Sequence, residues 1–298
     1  MNDNFNTCFY RGMDRAMLER EYNARESVAS FDAEMAEDRA ESARVQKMHK
    51  RIADIVYDPQ SGQTLDLFLA GPDSPIFIWI HGGYWRAGTK EHNSFAAGGL
   101  LAQGVSVAVL DYALAPEVKI GEIVRQVRTA TAWIKNNSVT YGYNAQTIHV
   151  GGSSAGAHLT GMLLVDGWTT QMGLPDDMFG AVLALSGLYE LEPLQHIQVN
   201  EWMRFTAEEI AANSPVRHIP DRSKARLIAS VGGLETAEFQ RQTNAFVDGW
   251  RAAGHQTDRV EMPNWNHFNL ARSLSDPNGD LVGVLHAAIM NGKKGNFV

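Results

Sequence analysis

The chain has 298 residues, 44% of them hydrophobic, with 34 acidic against 26 basic side chains and a formal net charge of −8. That length admits one large α/β domain with a full core, and an acidic balance without a basic stripe argues against nucleic-acid binding. A single cysteine, Cys8, excludes an intramolecular disulfide framework; with no apolar signal region in Met1–Tyr10 and no 18-residue apolar run, the expectation is a cytoplasmic enzyme with no membrane anchor.

Residues 1–48 are charged and helically spaced. Met13 and Met17 fall one turn apart, as do Leu18 and Tyr22, and Asp32–Gln46 predicts a second helix rich in Glu, Arg and Ala. Such amphipathic helices commonly pack on a domain surface; a lid over the site and a homodimer contact are the other readings open to this segment. From residue 51 the pattern alternates. Arg51–Tyr57 and Thr64–Ala70 predict two strands joined by a turn at Asp58–Gly62. Pro75–Ile80 is a short buried strand, Glu91–Gln103 a helix, Val105–Leu110 a strand and Ile123–Asn136 a helix. Strands follow at Thr147–Val150, Ala181–Leu185, Arg226–Val231 and Thr257–Glu261, with later helices over Glu235–Ala253 and Leu281–Met290. Alternating strands and helices imply a mostly parallel sheet of about eight strands, helices on both faces and an antiparallel hairpin at one edge. Residues 187–222 break this rhythm with Pro193, Pro215 and Pro220, and predict a small helical cap inserted over the carboxyl edge of the sheet within one domain spanning 1–298.

The most informative stretch is Gly152-Ser153-Ser154-Ala155-Gly156, between the apolar run ending at Val150 and the helical Leu159–Leu164. G-x-S-x-G between a strand and a helix is the nucleophile elbow of an α/β-hydrolase: a strained turn exposes the serine Oγ, and small neighbours let strand and helix cross closely. Ser153 is a rival, but its frame ends in Ala155 rather than glycine, so Ser154 is the candidate nucleophile. A phosphate-binding loop would need Lys and then Ser or Thr after the last glycine; Ala157 and His158 stand there instead.

A serine nucleophile needs a base, an acid to orient it and donors for the oxyanion, with the acid and then the histidine following the serine in this fold. After the strand Pro75–Ile80 the chain reads His81-Gly82-Gly83-Tyr84-Trp85. Gly82 and Gly83, with the N–H of Ala155, are the candidate oxyanion donors, each worth roughly 3–4 kcal/mol in the transition state; His81 reads as a side chain that fixes the loop. His255 precedes the last strand and His286 lies inside the final helix, so His267, in the loop after Val260–Pro263, is the candidate base. Glu235 follows the strand Leu227–Val231 and is preferred as the acid over Glu238, which falls in the first turn of a helix, where any carboxylate is favoured by the dipole. Tyr84 and Trp85 read equally as walls of an aromatic substrate pocket or as packing under the insertion.

Four stretches together resemble the kynurenine formamidase (arylformamidase) group, related to hormone-sensitive-lipase-like esterases: His81–Lys90 (HGGYWRAGTK), Asp111–Glu117 (DYALAPE), the Gly152–Gly156 elbow and Glu235–Gln242 (ETAEFQRQ). Glu21–Arg25 is similar as well. The resemblance implies Ser154 as nucleophile, Glu235 as acid and His267 as base, acting on an aryl formamide through an acyl-enzyme, with small acyl esters as the alternative substrates. A non-catalytic small-molecule-binding protein of the same fold is the further alternative. The group implies no metal or organic cofactor and a small-molecule amide or ester as the partner. One departure stands out: the group usually carries Asp where this chain has Glu235.

Overall fold

Every residue of Pro75–Ile80 is apolar and every one is buried, the signature of a strand covered on both faces. Ile76, Ile78 and Ile80 point into one apolar cluster, and Phe77 and Trp79 into the other, because successive side chains of a strand alternate between faces. Full burial of each such side chain contributes about 1.5–3 kcal/mol. The computed structural model describes residues 8–291; the first seven residues of the predicted N-terminal segment and the last seven of the chain lie outside them.

Eight strands run β1 Arg51–Asp58, β2 Gln63–Phe68, β3 Pro75–Ile80, β4 Ser106–Leu110, β5 Asn144–Ser153, β6 Phe179–Leu185, β7 Arg226–Ser230 and β8 Thr257–Arg259. They form one sheet in the order β1-β2-β4-β3-β5-β6-β7-β8. The β1–β2 and β2–β4 pairs are antiparallel and the rest parallel. This is the mostly parallel α/β-hydrolase sheet expected from the alternation of strand and helix.

Six described helices have eight residues or more: α1 Arg15–Tyr22, α2 Phe31–Met48, α3 Ile120–Asn136, α4 Ala155–Leu163, α5 Ala237–Ala252 and α6 Asp280–Asn291. α3 presents Ile120, Ile123, Val124, Val127 and Ile134 along one buried stripe, the three-and-four spacing of an amphipathic helix. α5 starts after Thr236 and stops before Gly254 (φ +82°), the left-handed position that glycine takes after a helix. α3, α4 and α5 pack on one face of the sheet; α6 and the C-terminal part of α2 pack on the other.

The structure redraws several boundaries. The helix expected over 91–103 splits into a 3-10 turn, Glu91–Ala97, and a short helix, Gly98–Ala102. A methyl on Gly99 would lie 2.6 Å from Leu274 O, so the pair Gly98-Gly99 serves close packing rather than a continuous helix. β5 is longer than expected and carries the elbow directly at its end, while β8 is shorter. Residues 187–222 form short pieces, Glu192–His196, Val199–Met203, Ala207–Ala212 and Pro215–Arg217. Leu188, Tyr189, Leu191, Leu194 and Met203 from this segment join the main core, and Tyr189 stacks on Phe246 of α5 at 4.2 Å.

Candidate active site

Ser154 sits between the last residue of β5 and the first of α4, at φ +57° and ψ −119°. That is a sparsely populated conformation for a residue with a Cβ, held here from several sides. The Ser154 N–H donates to Leu185 O on β6 at 2.8 Å, and Ser154 O accepts from His158 N at 3.0 Å. A methyl on Gly152 would lie 2.4 Å from the Gly156 carbonyl carbon, and one on Gly156 only 2.0 Å from Ile80 O. Glycine at both positions is what lets β3, β5 and α4 meet this closely. Ser154 is 5% exposed, and Ala155 is the first residue of α4, so its N–H is one of the amides left without an intrahelical acceptor.

The loop after β3 lies against this turn. A methyl on Gly82 would be 3.2 Å from Ser154 Cβ and 2.9 Å from Ser153 O, so Gly82 and the serine are immediate neighbours. Gly83, Tyr84 and Trp85 all have positive φ, at +105°, +50° and +56°. Three left-handed residues in succession turn the backbone sharply, closed by Arg86 and Ala87 N–H groups donating to Gly83 O. His81 is fully buried, with its ring stacked on Tyr112 at 4.3 Å and its Nδ1 2.7 Å from Gly82 O. Burial pushes its pKa below the ordinary histidine value. Tyr112 Oη in turn donates to His81 O at 2.8 Å.

The two aromatics of this loop part company. Trp85 is fully buried, edge-on to His158 with its Nε1 3.3 Å from His158 Nδ1, and also edge-on to Phe205. Its ring thus lies between α4 and the segment 187–222. Tyr84 is half-buried; its hydroxyl donates to Tyr22 O and its own carbonyl accepts from Trp202 Nε1 at 3.1 Å. His158 donates through Nε2 to Asn213 O at 2.7 Å. Burial lowers its pKa to about 4, against the smaller opposing effect of the Asn213 carbonyl.

Glu235 and His267 are joined directly, with Nδ1 2.6 Å from Oε2. The other carboxylate oxygen, Oε1, accepts from the Gly232 N–H at 2.7 Å and from the Ser186 hydroxyl at 2.5 Å. Glu235 lies before α5 rather than in it, so its side chain turns back towards the sheet. Glu238, inside the first turn of α5, accepts from Tyr22 Oη and pairs with Arg241. The loops that carry Glu235 and His267 interlock through backbone bonds, Gly233 N to Met262 O and Leu234 N to Trp265 O. A methyl on Gly232 would strike Trp265 O at 2.2 Å, and one on Gly233 would strike Pro263 O at 2.4 Å. The His267 ring packs on Phe239 and Phe268. His255 lies elsewhere, bonded to Pro220 O and packed on Trp250.

The N-terminal segment touches the loops that carry Tyr84, Glu235 and His267. Glu21 O accepts from Thr236 Oγ1, Glu21 Oε2 accepts from Glu238 N, and Tyr22 Oη joins Glu238 and Gln242. On α2, Glu34 accepts from Asn266 Nδ2, the neighbour of His267, and from Arg272, which also pairs with Glu37 and Asp38. Sequence reasoning missed both this clasp and Ser186. For Ser186 a usable signal existed, a hydroxyl directly after the strand that neighbours the elbow strand. Among the described residues no group of three or more His, Cys, Asp or Glu is arranged to hold a metal ion, and no helix is long and apolar enough to cross a membrane.

A family model described as BD-FAE matches residues 65–225. The kynurenine formamidase of Danio rerio is 30% identical over 250 residues, covering 81% of this chain and 83% of the relative. Esterase LipC of Mycobacterium tuberculosis is 26% identical over 236 residues, 72% of this chain and 58% of that protein. Among solved structures, a Silicibacter sp. protein superposes with a TM-score of 0.78 at 29% identity, covering 90% of this chain and 98% of that one. A Pyrobaculum calidifontis esterase superposes with a TM-score of 0.68 at 15% identity, covering 90% and 94%, a likeness of fold.

Proposed function

The chain belongs to the BD-FAE family and to the arylformamidase branch of the α/β-hydrolases, a family of hydrolases, and from that premise we propose that it cleaves an aryl formamide of the N-formylkynurenine kind by serine catalysis. The observation that carries the mechanism is the Glu235–His267 hydrogen bond of 2.6 Å, tied through Ser186 to the strand end beside Ser154. With Nδ1–H committed to Glu235, the neutral imidazole keeps its lone pair on Nε2, the nitrogen that takes a proton. His267 removes the proton of Ser154 Oγ as the oxygen attacks the formyl carbon. The N–H groups of Gly82, Gly83 and Ala155 receive the oxyanion, and Glu235 stabilises the imidazolium. Proton transfer from His267 to the leaving nitrogen releases the arylamine and leaves a formyl ester on Ser154. Water activated by the same histidine then hydrolyses this ester to formate and free enzyme.

The name of the Danio rerio relative supports the formamide, and the mycobacterial esterase keeps small acyl esters as the second reading, since both substrates pass through the same tetrahedral intermediate. The test compares kcat/KM for N-formylkynurenine and p-nitrophenyl acetate, and labels Ser154 with a fluorophosphonate. Ser154→Ala is expected to lose at least about 10³-fold in kcat and all labelling while unfolding at the wild-type urea concentration. Near-normal turnover by that variant would sink the serine mechanism, and a strong preference for the ester would move the substrate reading to carboxylesterase.

A further inference from the structure

Ser186 ends β6 at φ +50° and is fully buried. Its N–H continues the sheet by donating to Ser230 O at 2.9 Å, so the chain leaves the strand through this one residue. A left-handed position is better served by glycine than by a residue with a Cβ. A serine there makes sense when the hydroxyl itself has a task, and that hydroxyl sits 2.5 Å from Glu235 Oε1.

We propose that Ser186 is a positioning residue for the acid of the catalytic triad, locking the Glu235 carboxylate so that Oε2 faces His267 Nδ1. The inference rests on the serine-hydrolase reading above and deepens it. Glutamate has one more side-chain torsion than aspartate, so a glutamate acting on a histidine needs more holding to present one oxygen reliably. Two donors supply it here. The Ser186 O–H and the Gly232 N–H both bind Oε1, which fixes the carboxylate plane and leaves Oε2 for the imidazole. Ser186 touches neither the substrate nor the reacting atoms; it acts through Glu235. The same residue links nucleophile to acid, because its neighbour Leu185 accepts the Ser154 N–H. β6 therefore sets the position of both.

Ser186→Gly separates positioning from a turn-forming role. Glycine suits the backbone and deletes the hydroxyl, so a role in shaping the turn predicts an enzyme that is unchanged or more stable. The positioning role predicts kcat lower by roughly 10–100-fold, the size of a lost hydrogen bond to a charged group, with KM within about twofold. It also predicts a shifted or broadened downfield proton resonance for His267 Nδ1–H. In a Glu235→Gln background, Ser186→Gly should cost little more, because the two residues act as a unit. Ser186→Ala deletes the same hydroxyl but keeps the Cβ, and carries the test if the glycine variant does not fold. Wild-type kcat in either folded variant, or full additivity with Glu235→Gln, overturns the assignment. Ser154→Ala runs in the same assay. If it is active, the serine-hydrolase reading falls. If it is inactive while Ser186→Gly turns over normally, only the Ser186 assignment falls.

Discussion

Gly82→Ala measures how finely the loop after β3 is set against Ser154, the proposed nucleophile. The added methyl would lie 2.9 Å from Ser153 O and 3.2 Å from Ser154 Cβ, where ordinary contact begins at 3.4 Å. Something must therefore move by about 0.5 Å, either the loop that carries the proposed oxyanion donors or the turn at Ser154. A displacement of about 1 Å at reacting atoms costs roughly 10²-fold, so half of that predicts a kcat loss of roughly tenfold or somewhat more. Overpacking of this size costs about 1–3 kcal/mol of stability, which leaves a folded enzyme. Two further glycines calibrate the reasoning. A methyl on Gly156 would meet Ile80 O at 2.0 Å, a backbone overlap too deep to relieve, and Gly156→Ala should fail to yield folded protein. Gly121, in the first turn of α3, has nothing within 4 Å of an added methyl; Gly121→Ala should leave kcat unchanged and stabilise by up to about 1 kcal/mol. The assay is kcat and KM on an ester and a formamide, beside urea unfolding. Unchanged kcat in Gly82→Ala, or a Gly156→Ala variant as stable as wild type, refutes the close-approach argument.

Stability should also fall in mild acid because of His158, whose pKa burial lowers from 6.5 to about 4. The folded protein holds this ring neutral while the unfolded chain binds the proton more readily. Its contribution is therefore full above about pH 6.5 and is lost as pH falls towards 4, about 3 kcal/mol in all. Urea unfolding of wild type and His158→Gln between pH 7 and 4 should show a steeper decline for wild type, and parallel curves would count against it. The two neighbouring glutamates should separate by readout. Glu235→Gln is expected to lower kcat by about 10³–10⁴-fold with little change in unfolding. Glu238→Gln removes the charge facing Arg241 while its amide oxygen can still accept from Tyr22 Oη, lowering stability by about 1–3 kcal/mol with kcat within a few-fold; reversed outcomes would exchange the two assignments.

Much of this architecture is legible because periodicity reports burial. The strands expected over Pro75–Ile80, Ala181–Leu185 and Arg226–Val231 declare themselves as largely apolar runs between turn residues, and their order with the helices implies a mostly parallel sheet. The helix over 91–103 misleads because its glycine pair answers to packing against residues 274–276, which are remote in the sequence. The choice between Glu235 and Glu238 turns on where α5 begins. A start at Ala237 leaves Glu235 in the loop and puts Glu238 on a buried helix face, where Tyr22 takes it up. Local pattern locates a helix start only to within a few residues, which is why position alone gave a preference and not a separation. Trp85 is ambiguous for a related reason. Its positive φ sends the ring into the core between His158 and Phe205, and no neighbour in the sequence announces that turn.

The clasp formed by the N-terminal segment has a consequence in time. Glu21, Tyr22 and Glu34 are synthesised well over 200 residues before their partners Thr236, Glu238, Gln242, Asn266 and Arg272. At about 5–20 residues per second, a ribosome needs roughly 10–50 s between making the helix and making the loops it will grip. Through that interval the apolar side of α1, Leu18 and Tyr22, has no native seat. The loops that carry Glu235 and His267, once made, lack part of their support until it docks. Docking of α1 and α2 on the loops that carry Glu235 and His267 is thus a late, long-range event in the life of each molecule, possible only after both partners have been made.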